Sequence, residues 1–405
     1  MTTERTRRGL LATLGGVAAA GLAGCTDGGD EGGGGEESNA GADGEESTES
    51  ENGSSETENE SSDDGGSNGT WPTFRYDAAN TGVQPDAGGP SALETEWTFE
   101  TGGAVYASPS VAGDVVYVGS YDGTMYALDA ETGENRWAFD VGENVLSSAA
   151  IVDDYCYVGG FDDTVYALET ATGEVAERFE TGDDVGSSPT PVDGSLYVGC
   201  DDGNVYALGE YEWTFGTDAE VVAAPAVVDG TVYVGSFDGR FYAIDAETGT
   251  ELWSVEGSGE FEAAAAVGDG VVYAGDRGGT LHALEAGTGD ERWRLDAGDW
   301  TGAAPAVTND VVYAANRDGN VYALDAAEGD ERWRFQTGAE TWSSPTVADD
   351  VVYVTNRDGN VYALDAAEGT NQGSAGIGEV IFSSPAVVDG RLYVGSTDGN
   401  VYALS

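Results

Sequence analysis

The tetrapeptide Val-Tyr-Ala-Leu, or a near copy, recurs eight times, with its aromatic-position residue at 126, 166, 206, 242, 282, 322, 362 and 402. The spacing is 40 residues except for one interval of 36, between 206 and 242. A period of this size marks a chain built from copies of one supersecondary unit, none of which can bury its apolar face alone. What is particular to this chain must therefore be read from how the copies differ.

Within residues 105–139, four runs rich in β-branched and aromatic residues, at 107–111, 115–119, 124–128 and 136–139, are separated by Gly-Asp, Asp-Gly and Thr-Gly turn signals. They read as four antiparallel strands, and no stretch carries a helical apolar period. Four strands per 40 residues, repeated, predict an all-β propeller in which each sheet is one blade. The chain ends set the count. The last copy stops at Ser405, just after its third strand, while a spare fourth strand, Glu96-Trp97-Thr98-Phe99, precedes the first copy and matches Arg136-Trp137-Ala138-Phe139. Joined, they complete one blade and remove two free strand edges. The prediction is an eight-bladed propeller of four-stranded blades, closed by an N-terminal strand in the C-terminal sheet.

Between the third and fourth strands, residues 127–137 follow the pattern A-x-D-x-x-T-G-x-x-x-W, with weaker copies around Asp245, Asp325 and Asp365. A Trp so placed covers about 150–250 Å² between blades, worth roughly 4–6 kcal/mol. Trp97, Trp137, Trp213, Trp253, Trp293 and Trp333 are accordingly assigned to packing. Copies two and seven lack this Trp, with Arg178-Phe179 and Asn371-Gln372-Gly373 near the expected places, which predicts softer contacts there.

The pattern resembles the tryptophan-docking motif of PQQ-repeat propellers. The opening Trp71-Pro72-Thr73-Phe74-Arg75, followed by Asn80-Thr81-Gly82, is similar to their lead-in. The resemblance spans residues 71–405 and points to two related families, the quinoprotein alcohol dehydrogenases and the lipid-anchored assembly propellers of the BamB type. The first implies PQQ and calcium held by an adjacent cysteine pair, a Trp platform and Glu, Asn and Asp ligands on long inserted loops. Here no two cysteines adjoin and no copy departs from its 36 or 40 residues, so neither PQQ nor calcium is expected. The second family implies a platform for protein partners; the chain is expected to be non-catalytic and a monomer.

Other chemistry finds little support in the residues. The only histidine, His282, fills the Tyr slot of Leu281-His282-Ala283-Leu284 and reads as a structural imidazole. Cys156 and Cys200 read as small buried hydrophobes. The pairs Asp162-Asp163 and Asp201-Asp202 sit in hairpins where Asp serves the turn, and they are read that way rather than as calcium ligands.

Residues 1–24 combine Arg7-Arg8 with a short apolar stretch ending at Leu22-Ala23-Gly24-Cys25, which resembles a twin-arginine export signal joined to a lipobox. Lipidated Cys25 would then anchor the chain to the outer face of the cytoplasmic membrane. Residues 25–70, almost without apolar side chains, read as a disordered tether spanning on the order of 35–40 Å. Three glycosylation acceptor patterns, at Asn52, Asn59 and Asn68, fall within it. Residues 71–405 are the propeller.

The chain carries 75 acidic and 15 basic residues, every basic one Arg, for a formal net charge of −60. Such a surface repels nucleic acid and anionic lipid. It reads as an adaptation to molar salt, where the screening length falls to about 3 Å, in a cell of haloarchaeal type.

In a propeller the fourth-to-first and second-to-third loops share one face, so their variable positions form concentric rings. The residue before Asp-Gly in each second hairpin reads Tyr121, Phe161, Asp201, Phe237, Arg277, Arg317, Arg357 and Thr397. The inner ring reads Tyr106, Leu146, Gly186, Val222, Glu262, Gly302, Trp342 and Phe382, and Trp300 also lies in a fourth-to-first loop. Arginines and large aromatics without surrounding charge are what interface hot spots look like. Arg277, Arg317, Arg357, Trp300, Trp342, Phe382 and Tyr106 are therefore the candidate partner-binding residues. The competing explanation is duplication, with each arginine simply pairing to a nearby carboxylate. The arc of Tyr121, Phe161 and Phe237 offers a third expectation, carbohydrate binding.

Overall fold

The computed structural model describes residues 70–405 apart from Asp86, Ser91 and Trp300, and every regular element in them is a strand. The signal, lipidation, tether and glycosylation expectations, including Cys25, Asn52, Asn59 and Asn68, lie outside the described residues. Eight sheets form, six of four strands and two extended to five by short pieces of the lead-in. In blade one the strands are Ser110–Ala112, Val115–Gly119, Thr124–Asp129 and Asn135–Asp140, all antiparallel. Its second strand is buried at every position, because a neighbouring blade covers each face, whereas its fourth alternates toward solvent at the blade edge.

The closing strand is Thr95–Glu100, which pairs antiparallel with Asn400–Leu404, Trp97 opposite Ala403 and Thr98 opposite Tyr402. Glu94 and Ser405 exchange backbone hydrogen bonds of 3.0 Å in both directions, so the seam extends to the last residue. The predicted eight-bladed closure is the one observed.

The docking tryptophans tie six of the eight blades to the next. Trp97 donates its indole N–H to the Ala130 carbonyl at 3.1 Å, Trp137 to Thr170 at 2.7 Å and Trp213 to Ala246 at 2.8 Å. Each ring lies on the turn glycine of that next blade. At Gly133, with φ of +72°, a β-carbon would sit 2.7 Å from the Trp97 ring, so conformation and contact both demand glycine.

The two missing tryptophans have a common cause. Glu177 stands opposite Ala167 in blade two and Gly373 opposite Ala363 in blade seven, at the register other blades give to Trp. Neither would find a turn to dock on. Blade three passes from Gly209 to Trp213 without the docking turn, which accounts for the 36-residue interval, and its strands pair without the bulge found elsewhere. In blade eight the turn is replaced by the two chain ends.

The expected softness at blade seven is corrected by the lead-in. Buried Leu93 lies 3.9 Å from where a Gly373 β-carbon would stand, and Gly89 fits so closely over the Tyr353 hydroxyl that any side chain there would collide. At blade two Tyr155 packs on Tyr157 at 6.3 Å, close to the 5.8 Å between Tyr117 and Trp137. The buried Tyr157 hydroxyl nevertheless has no protein partner, whereas Tyr197 reaches the Ala246 carbonyl at 3.1 Å.

The lead-in also closes one end of the axial channel. Thr70–Trp71 pairs antiparallel with the first strand of blade one and Val83–Gln84 parallel with that of blade seven. Between them, carbonyls of Pro72, Ala78, Ala79, Thr81 and Gly82 accept the N–H groups of Ile151, Val227, Val267, Val307 and Val347. Innermost strand edges that would otherwise face a void are thereby satisfied. Buried Arg75 donates to the Pro345 carbonyl at 2.5 Å and the Pro305 carbonyl at 3.0 Å, and Asn80 donates to the Ala224 and Pro225 carbonyls. Burial pushes the Arg75 guanidinium down to about 9, with nearby Asp77 acting against it.

Candidate functional site

All eight residues of the inner ring line one cavity of about 310 Å³ at the axis, open on the loop face. Phe161, Asp201 and Phe237 of the outer ring join them, and Phe74 of the lead-in forms part of the floor. The floor has a fixed rotational register. Phe74 packs on Ala224, Ala264 and Ala304 of blades four to six, the three blades that carry Ala where the others carry Ser. The serines form a hydrogen-bonded arc: Ala304 N–H donates to the Ser344 hydroxyl, Ser344 to Ser384, Ser384 to Ser108, Ser108 to Ser148 and Ser148 to Ser188, at 2.9–3.0 Å.

Above blades seven, eight and one the rim is aromatic. Trp342 meets Phe382 edge-on at 5.2 Å, Phe382 lies 5.3 Å from Tyr106, and Tyr106 lies 4.4 Å from Tyr121. Arg317 stacks over the Trp342 ring at 4.4 Å, with Arg357 at 5.8 Å from Trp342 and 5.9 Å from Phe382. Glu340 fastens the group. It accepts the Trp342 indole N–H at 2.9 Å and Arg357 at 2.7 Å, with Arg317 at 3.6 Å. The Trp342 and Arg357 bonds together hold the Glu340 carboxyl below its ordinary value.

Five of the candidate partner-binding residues, Arg317, Arg357, Trp342, Phe382 and Tyr106, thus come together in one sector. Arg277 belongs to a neighbouring cluster, bonded to Glu262 at 2.8 Å and to Glu260 and stacked over Phe237 at 4.7 Å. Trp300 lies outside the described residues. All three arginines do pair with glutamates, as the duplication explanation anticipates. Their side chains are 35–40% exposed, where such pairs contribute only about 0–1 kcal/mol. Glu340 was not singled out from the sequence, although aligning the blades places it two residues before the inner ring, as Glu260 precedes Glu262 and Glu220 precedes Val222.

The remaining polar residues explain themselves structurally. Tyr126, Tyr206, Tyr242 and Tyr402 donate to Asp122, Asp202, Asp238 and Asp398 of their own Asp-Gly turns at 2.5–2.8 Å. Blade five has Gly278 in that Asp place and His282 in the Tyr place, and here buried Asp276 takes over. The imidazole lies 3.1 Å from Asp276 through Nε2 and 3.1 Å from Glu291 through Nδ1. Burial works against its charged form, but the bonds to Asp276 and Glu291 outweigh it and raise its pKa. Cys156 and Cys200 are free and buried, and burial raises both thiols, Cys200 to about 11. Asp163, Asp183 and Asp184 bring carboxylate oxygens within 4.8 Å of one another, a clustering that nothing else nearby ties to an ion.

The repeats match the model of the family described as outer membrane protein assembly factor BamB over residues 94–208, 162–295 and 258–404. The chain belongs to the BamB family. No curated protein matches it in sequence. Among solved structures, BamB from Moraxella catarrhalis superposes with a TM-score of 0.66 at 20% identity, covering 78% of this chain and 100% of that one. The computationally designed Ika8 protein gives 0.69 at 20% identity, covering 78% and 99%. The quinohemoprotein alcohol dehydrogenase from Comamonas testosteroni gives 0.67 at 16% identity, covering 83% and 80%. At these identities the likeness is one of fold, shared by an assembly factor, a design and a dehydrogenase.

Proposed function

We propose that this BamB-family propeller is an exported, lipid-anchored and non-catalytic scaffold that binds protein partners at the cell surface. The observation that carries the reading is the rim sector in which Trp342 lies against Phe382 with Arg317 and Arg357 stacked over it. Aromatic and Arg side chains held rigid at a partly exposed surface supply contact area at little ordering cost, as at binding hot spots. Cys25 is proposed as the lipid attachment and the acidic tether as the reach that presents the loop face to partners. The fold is shared with PQQ enzymes, but among the described residues the axial cavity offers Asp201 and Glu262 as its only ionisable lining groups apart from Tyr106, a poor match to the tricarboxylate PQQ. We therefore propose that neither PQQ nor calcium is held there.

The test is affinity purification from native membranes in molar salt with the wild-type chain and with Arg277→Ser/Arg317→Ser/Arg357→Ser. Loss of specific partners from the triple variant supports the reading; an unchanged set overturns it. Reconstitution with PQQ and calcium followed by a dye-coupled alcohol assay probes the dehydrogenase alternative, and turnover there would contradict the scaffold.

A further inference from the structure

The axial cavity combines three features, two of which, a serine arc and Asp201, play no part in the docking sector. Its lower wall carries five serines, each residue more than nine-tenths buried, whose hydroxyls each accept a backbone N–H from the preceding blade. With the oxygen so engaged as acceptor, each hydroxyl proton is left to be donated, and the five converge on one channel. The upper wall presents aromatic rings on several sides, Trp342, Phe382 and Tyr106 of blades seven, eight and one together with Phe161 and Phe237 of blades two and four. Between the aromatics stands Asp201, one carboxylate oxygen of which is buried without a protein partner.

Each feature excludes a ligand class. Convergent donors favour an acceptor-bearing ligand, but an anion in the cavity meets the Asp201 and Glu262 carboxylates at close range, where salt screens least. A simple cation has no use for the donors. Aromatic faces want apolar C–H surface, and Asp201 wants a hydroxyl or amine donor. A ring that offers C–H on its faces and hydroxyls at its edges, each hydroxyl both donor and acceptor, meets all three conditions at once.

We infer that the axial cavity is a binding site for a neutral, hydroxyl-rich ring, a sugar residue, stacked on the rim aromatics, accepting from the serine arc and donating to Asp201. The site shares Trp342, Phe382 and Tyr106 with the docking sector but takes its polar contacts from the serine arc and Asp201, which that sector does not use. Burial, reinforced by the charges of Glu220, Asp184, Asp183 and Asp202, raises the Asp201 carboxyl to about 6, so it accepts as a carboxylate at neutral pH.

Isothermal titration calorimetry of the full-length protein in molar salt tests it, with methyl glycosides of glucose, galactose, mannose and N-acetylglucosamine as probes, and choline and sulfate as controls. At least one glycoside is expected to bind while choline and sulfate do not. Asp201→Asn should weaken that binding by about ten- to a hundredfold, the usual scale for a hydrogen bond to a charged group. Gly186→Leu should abolish it, since Gly186 lines the cavity and a β-carbon there would already touch Phe161 at 3.4 Å and Leu146 at 3.7 Å, leaving the rest of the side chain to fill cavity space. Immobilised oligosaccharides presented in parallel distinguish a free sugar from the terminal residue of a partner's glycan; binding in either format supports the site. Silence toward every glycoside in both formats, equal binding of choline or sulfate, or full retention of binding by Asp201→Asn and Gly186→Leu would overturn it.

Discussion

Replacing Trp97 by Ala probes the seam where the ring is sewn shut. The indole is 9% exposed, lies on Gly133, packs 5.9 Å from Tyr393 and bonds the Ala130 carbonyl. About 200 Å² removed from contact at ~25 cal/mol per Å² amounts to ~5 kcal/mol. Partial collapse of the site brings the cost to the ~3–5 kcal/mol usual for such truncations. Every other blade is continuous in sequence through its third and fourth strands, whereas at this seam those strands belong to opposite chain ends. The loss is therefore expressed as joint opening of Thr95–Glu100 and Asn400–Leu404. Taking ~4 kcal/mol, amide protection in those strands should fall by several hundredfold, each 1.4 kcal/mol being a factor of ten. Hydrogen–deuterium exchange with mass spectrometry in molar salt reads this directly. Trp213→Ala, the same deletion inside the continuous ring, should loosen blades three and four while leaving both terminal strands protected. Unchanged exchange at Asn400–Leu404 in Trp97→Ala, or equal loosening there in Trp213→Ala, would refute the reasoning.

Leu93→Ala should cost about 2–4 kcal/mol in denaturant titration, because the lead-in substitutes for a docking Trp at blade seven; a cost under ~0.5 kcal/mol would place Leu93 outside the core. The His282–Asp276 pair makes stability pH-dependent. Since the folded pKa of His282 is raised, its contribution is complete below the unfolded value of about 6.5 and is lost as pH rises through the folded pKa. Asp276 is held down to about 2, so its contribution is present above about 3.9 and is lost as pH falls toward 2. His282→Gln should flatten the loss on the alkaline side of neutrality in unfolding curves, and an unaltered profile would contradict the assignment. Glu340→Gln releases Arg317 and Arg357 from their shared carboxylate but should change stability by less than ~1 kcal/mol while weakening partner capture, measured by pull-down and thermal melting.

The blade number, the seam at Trp97 and the rings of loop residues were all legible because a propeller copies one pattern at fixed spacing, so position along the repeat maps directly to position around the axis. The lead-in was not. Residues 70–93 carry no repeat, and the part played by Phe74, Arg75 and Asn80 depends on which blades have Ala or a free carbonyl opposite them. The absent tryptophans of blades two and seven were visible, yet their cause lay in the following blade, where the receiving turn is missing. The 36-residue interval recorded that loss in plain sight. Glu340 escaped notice because a single Glu among 75 acidic residues has no compositional signal; only its place beneath two arginines and an indole gives it one.

The central claim, partner recognition on the loop face, is tested most directly by site-specific photo-crosslinking in native membranes at molar salt. A photoreactive residue at Thr397, on the outer ring between Arg357 and Tyr121, is compared with one at exposed Glu247, in a docking turn on the opposite face. The account predicts a discrete protein adduct from Thr397 that disappears in the triple arginine variant, and none from Glu247. Adducts from Glu247 alone, or a Thr397 adduct indifferent to the arginines, would contradict it.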